Sequence, residues 1–242
     1  MDVQTAVNNY ASAIKHCKNL EKAHRAAGNG GRGRRDAETS INRGAIVMTV
    51  AAWQAFVQDL ATALRDATFT EIGDDFERSL LAAAMTQWKS DFDGAMERFS
   101  TPDAAQTIAL LKRAGFNPNP SWAWNQRGGQ GSGPVQVNPQ HVVDVIGMWL
   151  RIRHDVAHGH ATVHPLPILT AVRDPKASAK LKADPTLRLT DAIDCRNFFT
   201  SVVRVTAEAA VEYVGQPTPK WEETPRLLLG LHPSLAKKPP KT

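Results

Sequence analysis

Apolar residues in this chain recur every three or four positions over stretches long enough to settle the fold class. Val3, Val7, Tyr10, Ile14 and Cys17 form one such stripe, and Ile46, Val50, Trp53, Val57, Leu60 and Leu64 form a second. That spacing is the period of one helix face, and it predicts two long amphipathic helices. Between them lies the basic glycine segment Gly28–Asp36, with Thr39 or Ser40 as the expected N-cap of the second helix.

The same reading continues along the chain. A third helix is expected from about Asp75 to Phe99, through Leu81, Ala84, Trp88 and Phe92. Thr101-Pro102-Asp103 reads as a cap, a first-turn proline and an acid that suits a helix N-terminus, opening a short helix that ends at Gly115. Phe116–Pro139 is too rich in Gly, Pro and Asn for a helix and reads as a loop excursion pinned by Trp122 and Trp124. Pro139 opens a helix with apolar Val142, Val145, Ile146, Trp149, Ile152 and Val156, and Gly159 stops it. After a further loop, Thr190-Asp191 begins a last long helix carrying Phe198, Val202, Val205 and Ala209. No strand signal competes with these patterns. The expected fold is all-α: a bundle of four main helices with an inserted helical element and long loops, one domain over 1–215 and an irregular basic tail over 216–242.

Composition narrows the setting. No run approaches the roughly 18 apolar residues of a membrane span, and the start MDVQTAVNNY lacks a secretory pattern, so a cytoplasmic location without membrane contact is expected. Cys17 and Cys195 both fall among helical apolar positions and read as buried thiols. The net charge of +5 would favour a polyanion. Its candidate contacts are Arg32, Arg34 and Arg35 in the glycine loop, with further lysines in the tail.

Chemistry concentrates in RIRHDVAHGH, residues 151–160, which holds three of the eight histidines. His154 and His158 stand four apart on one helix face, a spacing that suits two zinc ligands, and His160 and Asp155 are near in sequence. An HD-type phosphohydrolase would need further ligands, for which only His16, His24, Asp191 or Asp194 are on offer, none within a motif. Arg153 falls on the stripe of Ile146, Trp149 and Val156, where a guanidinium needs an anionic partner or a route to water. Asp155 reads as a partner of Arg151 or as a solvated side chain.

Arg153-His154-Asp155-Val156-Ala157-His158, followed by Gly159, is also an R-x4-H motif at a helix end. In this the chain resembles the HEPN superfamily, particularly its RiboL-PSP-type branch. Ala45–Leu64 is similar to the early apolar helix of that family and Leu189–Val203 to its closing helix, whereas the loop 116–139 lies outside the likeness. The resemblance implies a metal-independent endoribonuclease needing no cofactor, in which the RNA 2′-hydroxyl attacks the adjacent phosphate. It implies a homodimer whose two motifs face each other in a composite cleft, with an antitoxin or other regulatory protein as partner and a toxin or antiviral role. His158 would move protons and Arg153 would grip the phosphate, with His154, Asp155 and Arg151 as auxiliaries. Arg153 and His158 lie about 140° apart on an ideal helix, which suits sites shared between two chains better than a site on one. Members of the branch often carry glutamate where this chain has Gln54. The alternative is an HEPN-like module that binds RNA or protein without turnover.

Overall fold

In a computed structural model that describes residues 1–27, 36–70, 86–127 and 133–236, the N-terminal stripe closes onto the second one as helix α1 (Val3–Ala27) packs along α2 (Asp36–Thr70). The expected stripe residues Val3, Val7, Tyr10, Ile14 and Cys17 are all buried on α1. On α2, Ile46, Val50, Trp53, Val57, Leu60 and Leu64 are buried in the same core. Full burial of each large side chain stabilises the fold by about 1.5–3 kcal/mol, so these two faces dominate the core.

Helices α3 (Thr86–Glu97) and α4 (Ala104–Arg113) follow, then a hairpin of β1 (Trp124–Gln126) and β2 (Val135–Val137). Next come α5 (Pro139–Ala157), the short α6 (Thr170–Arg173) and α7 (Ala179–Ala183), and the closing α8 (Leu189–Tyr213). Helix α2 is the centre, touching α1, α4, α5 and α8. Among the described residues the fold is all-α apart from the hairpin, with four long helices and shorter ones added. By length and hydropathy α2 alone among the described residues would suit a membrane span, but it is the core helix of the bundle.

Three local expectations are corrected. Thr39 and Ser40 lie inside α2, which begins three residues earlier at Asp36 and places Asp36 and Glu38 in its first turn, where acids complement the helix dipole. Helix α4 is capped by Asp103 and not by Thr101: the Asp103 carboxylate accepts from the Gln106 N–H at 2.7 Å. The loop 116–139 contains two strands, paired antiparallel as Trp124 with Val137, Asn125 with Gln136 and Gln126 with Val135. The first part of the expected third helix, 75–85, lies outside the described residues.

The tryptophans do pin the excursion. Trp122 is fully buried and donates its indole N–H to Thr206 Oγ1 of α8 at 2.9 Å, and Trp124 packs into the core beside Val137. Cys17 and Cys195 are free and buried, and burial pushes both thiols above their usual range. After Gly215 the chain runs as an extended strap. Gln4 bonds both backbone groups of Lys220, Ser201 bonds Arg226 O and Leu228 N–H, and Leu229, Leu231 and Ala236 are buried in the bundle's core. The folded unit therefore runs on through Ala236.

Candidate active site

Helix α5 sets the position of the motif. Asn138 caps it by accepting from the His141 N–H at 3.0 Å, and Pro139 occupies the first turn as its fixed φ allows. At the other end His158 is the C-cap and Gly159 adopts φ +71°. The Gly159 N–H donates to Val156 O at 3.1 Å and the His160 N–H to Asp155 O at 3.0 Å. These two bonds form a Schellman stop, which needs a left-handed residue, and the expected role of Gly159 is met. The motif thus sits on the last turns of a rigid helix and on the loop that leaves it.

Asp155 is not the solvated or Arg151-paired residue that its neighbours suggested. Its side chain is 0% exposed. One carboxylate oxygen accepts from the His164 backbone N–H at 2.8 Å and from His164 Nδ1 at 2.7 Å, and the other faces His160 Nδ1 at 3.3 Å. Those rings remain 42% and 52% exposed, so the carboxylate is covered but shallow. Burial acts to raise its pKa, yet the hydrogen bonds and charge of His164, with the hydrogen bond from His160, outweigh it and hold the group below the usual carboxylate value. An ionised carboxylate only accepts, so the ring nitrogens facing it carry the protons.

The other side of the loop is held from α2. Arg43 Nη2 donates to His160 O at 2.7 Å and to Ala161 O at 2.9 Å. Asp155 and Arg43 therefore clamp residues 160–164 between them. A cleft of about 730 Å³ opens beside this clamp, lined by His24, Arg43, Ala161 and Arg188 among others, and includes neither Arg153 nor His158.

Arg153, His154, His158 and Arg151 stand outside the clamp. Arg151, His154 and His158 are exposed and Arg153 is half-buried. Arg153 is therefore at the edge of the apolar face, where its partner on the stripe, Val156, is also only half-buried. None of these four side chains makes a hydrogen bond or ion pair among the described residues. The His154 and His158 rings lie with centroids 4.2 Å apart, and His160 follows 6.2 Å from His158. Nothing joins Arg153 to His158 directly, as their angular separation on the helix requires.

The remaining candidates are not gathered here. Arg32, Arg34 and Arg35 lie outside the described residues. The ligands an HD-type site would need are committed elsewhere: Asp191 accepts from the Thr170 and Arg188 N–H groups, Asp194 faces Arg173, and the His24 ring faces Glu38 O. Among the described residues no three His, Cys, Asp or Glu side chains form a ready metal cage. Gln54 donates to Phe99 O at 3.0 Å, tying α2 to the segment before α4.

Sequence reasoning missed Asp155 as an anchor, and Arg43, His160 and His164 as its companions. A signal for Asp155 was present: Val145, Met148, Ile152 and Asp155 continue a buried face at spacings of three, four and three. Arg43, over a hundred residues away in sequence, carried none. The chain matches no known protein family, no curated protein and no solved structure.

Proposed function

We propose that the chain is a metal-independent endoribonuclease of the HEPN kind, cytoplasmic, acting as a homodimer and held in check by an antitoxin or other regulatory protein. The observation that supports this most is the pairing of rigidity with availability. Asp155 and Arg43 fix the helix end and its loop, while Arg153 and His158 keep uncommitted polar groups on an outward-facing surface. Side chains that held only the fold together would be expected to find partners; these have none among the described residues.

The chemistry follows from the residue types. A neutral imidazole takes the proton of the RNA 2′-hydroxyl as that oxygen attacks phosphorus. The P–O5′ bond breaks, and the departing oxygen takes a proton from a second imidazole. The products are a 2′,3′-cyclic phosphate and a 5′-hydroxyl. The Arg153 guanidinium bonds the phosphate oxygens as charge grows on them. On the HEPN pattern the two proton-transfer groups are the His158 imidazoles of two chains met across a two-fold axis. The outward stripe of α5 runs from Gly147 through Arg151 and His154 to His158, with Asp144 as its acidic member one turn earlier, and leaves open space at Gly147 for a second copy.

The test is incubation of purified protein with mixed RNA, with and without EDTA, beside Arg153→Ala and His158→Ala. Cleavage that survives EDTA and is lost in both variants is the expected result. Equal cleavage by both variants removes the site. RNA binding without cleavage would support the non-catalytic module, and loss with EDTA alone the phosphohydrolase.

A further inference from the structure

His154 and His158 form a pair that the ribonuclease reading uses only by half. The two rings are exposed, four residues apart on one face of a regular helix, and in contact at 4.2 Å between centroids with a 52° tilt. Neither ring nitrogen is taken up by a hydrogen bond among the described residues. Two imidazoles one helical turn apart can turn their lone pairs to one point, the arrangement by which a helix chelates zinc. Because α5 is capped at both ends and its C-terminal turn is closed by Gly159, the Cα positions of the pair are fixed before any ion arrives.

A third histidine stands near. The His160 ring is 6.2 Å from that of His158, and its Nδ1 faces the buried Asp155 carboxylate at 3.3 Å. With the Nδ1 proton directed at the carboxylate, the lone pair of the neutral ring is on Nε2. A carboxylate behind a histidine in this way is the usual support of a metal-ligating ring, fixing its tautomer and raising its basicity. His160 also has its backbone held by Arg43.

We infer that His154 and His158 chelate a borderline divalent transition-metal cation such as Zn²⁺, with water completing the shell and His160 joining as a weaker third ligand only where its ring moves closer to His158. Imidazole pairs select ions of this class over Mg²⁺ or Ca²⁺, which take oxygen ligands. On the ribonuclease reading, and only on it, the ion is an inhibitor. It occupies the lone pair with which His158 would accept a proton, and it sets a positive charge beside the group that would donate one. Zinc at this position would silence the enzyme, and a chelator would raise its rate.

The experiment is calorimetric titration of the full chain with ZnCl₂ at pH 7.5, with MgCl₂ as control, for the parent and for His154→Ala, His158→Ala, His160→Ala and His232→Ala. One Zn²⁺ per chain and no Mg²⁺ heat are expected. Loss of either member of the pair should weaken binding by about tenfold or more, as expected when even a supporting residue of a metal site costs that much. His160→Ala should weaken it less and His232→Ala not at all. The exposed pair tolerates alanine, and unchanged melting temperatures verify it. No Zn²⁺ binding below about 1 mM, a dissociation constant equivalent to only about −4 kcal/mol, overturns the site. So does binding that neither His154→Ala nor His158→Ala weakens. RNA cleavage measured in the same titration separates the two readings. Zn²⁺ binding without any cleavage supports the metal site and counts against the ribonuclease. Cleavage that persists at saturating Zn²⁺ overturns the inhibitory role.

Discussion

His164 donates twice to the carboxylate of Asp155, through its backbone N–H at 2.8 Å and its ring Nδ1 at 2.7 Å, across nine residues of chain. The bond pair turns a flexible exit from α5 into a closed loop, with His158 and His160 on its rim. Asp155→Asn keeps the shape but replaces one acceptor oxygen with an N–H₂ group that meets N–H donors. A buried hydrogen-bonding group left unsatisfied costs about 1–3 kcal/mol. For a chain of this length each kcal/mol lowers Tm by about 2–4 °C. The expected result is a Tm lower by several degrees, with faster amide exchange at His160 and His164. Unchanged exchange there would show that the carboxylate does not hold the loop.

The same carboxylate gives a pH signature. The folded protein holds Asp155 below its ordinary value of 3.8, so on acidification the unfolded chain takes up that proton first. Its contribution to stability is therefore complete above about pH 4 and is lost as the pH falls through the lower folded value. Asp2 and Asp66 are also held low by their hydrogen bonds and act in the same window. The difference between parent and Asp155→Asn isolates the one group. Denaturant midpoints measured from pH 7 to pH 2 should lie apart above pH 4 and converge below it. A constant separation over the whole range would contradict the assignment.

How much of this was open to view in the sequence depends on which element is asked about. The long helices were legible because burial repeats along them: Val3 to Cys17 and Ile46 to Leu64 are apolar at every turn and buried at every turn. The strands were not, since Trp124–Gln126 and Val135–Val137 are three residues each, too short for alternation to stand out. Within α5 two stripes share the same spacing. The expected face of Val142, Val145, Ile146, Trp149, Ile152 and Val156 is buried as far as Ile152, but at the helix end burial passes to Asp155 on the stripe of Val145, Met148 and Ile152, while Arg153 and Val156 are half-buried. Hydropathy pointed to Val156 over Asp155 there because a buried aspartate is as polar on paper as a solvated one. Its partners, His160 and His164, decide the matter, and they arrive from the loop that follows the helix.

Gln54 bears on the proposed HEPN-like chemistry. Its side-chain N–H donates to Phe99 O at 3.0 Å, a bond that a glutamate carboxylate cannot make and would repel. It also stands eleven residues beyond Arg43 on α2, about 16 Å along the helix axis from the residue that holds the motif loop. Gln54→Glu should therefore lower stability by about 1–3 kcal/mol and leave the RNA cleavage rate no higher than in the parent. A faster variant of undiminished Tm would place an acidic group in the chemistry after all.

The proposed composite site makes a prediction that no single-chain site shares. Chains carrying Arg153→Ala and chains carrying His158→Ala are each expected to be inactive as homodimers. Mixed by refolding in equal amounts, about half of the two-fold dimers contain one of each. Such a dimer keeps one Arg153 and one His158 on opposite chains, and the two face one cleft across the axis. Cleavage should return above that of either parent and rise with the fraction of mixed dimers, measured by mass. It should stay below the unsubstituted protein, because only one imidazole remains to serve both proton transfers. Arg153→Lys in place of Arg153→Ala should recover part of the rate, since an ammonium supplies the charge but not the two-pronged grip on phosphate. Verified mixed dimers with no recovered cleavage would mean either that both His158 imidazoles are required or that arginine and histidine act within one chain, against the angle between them on α5.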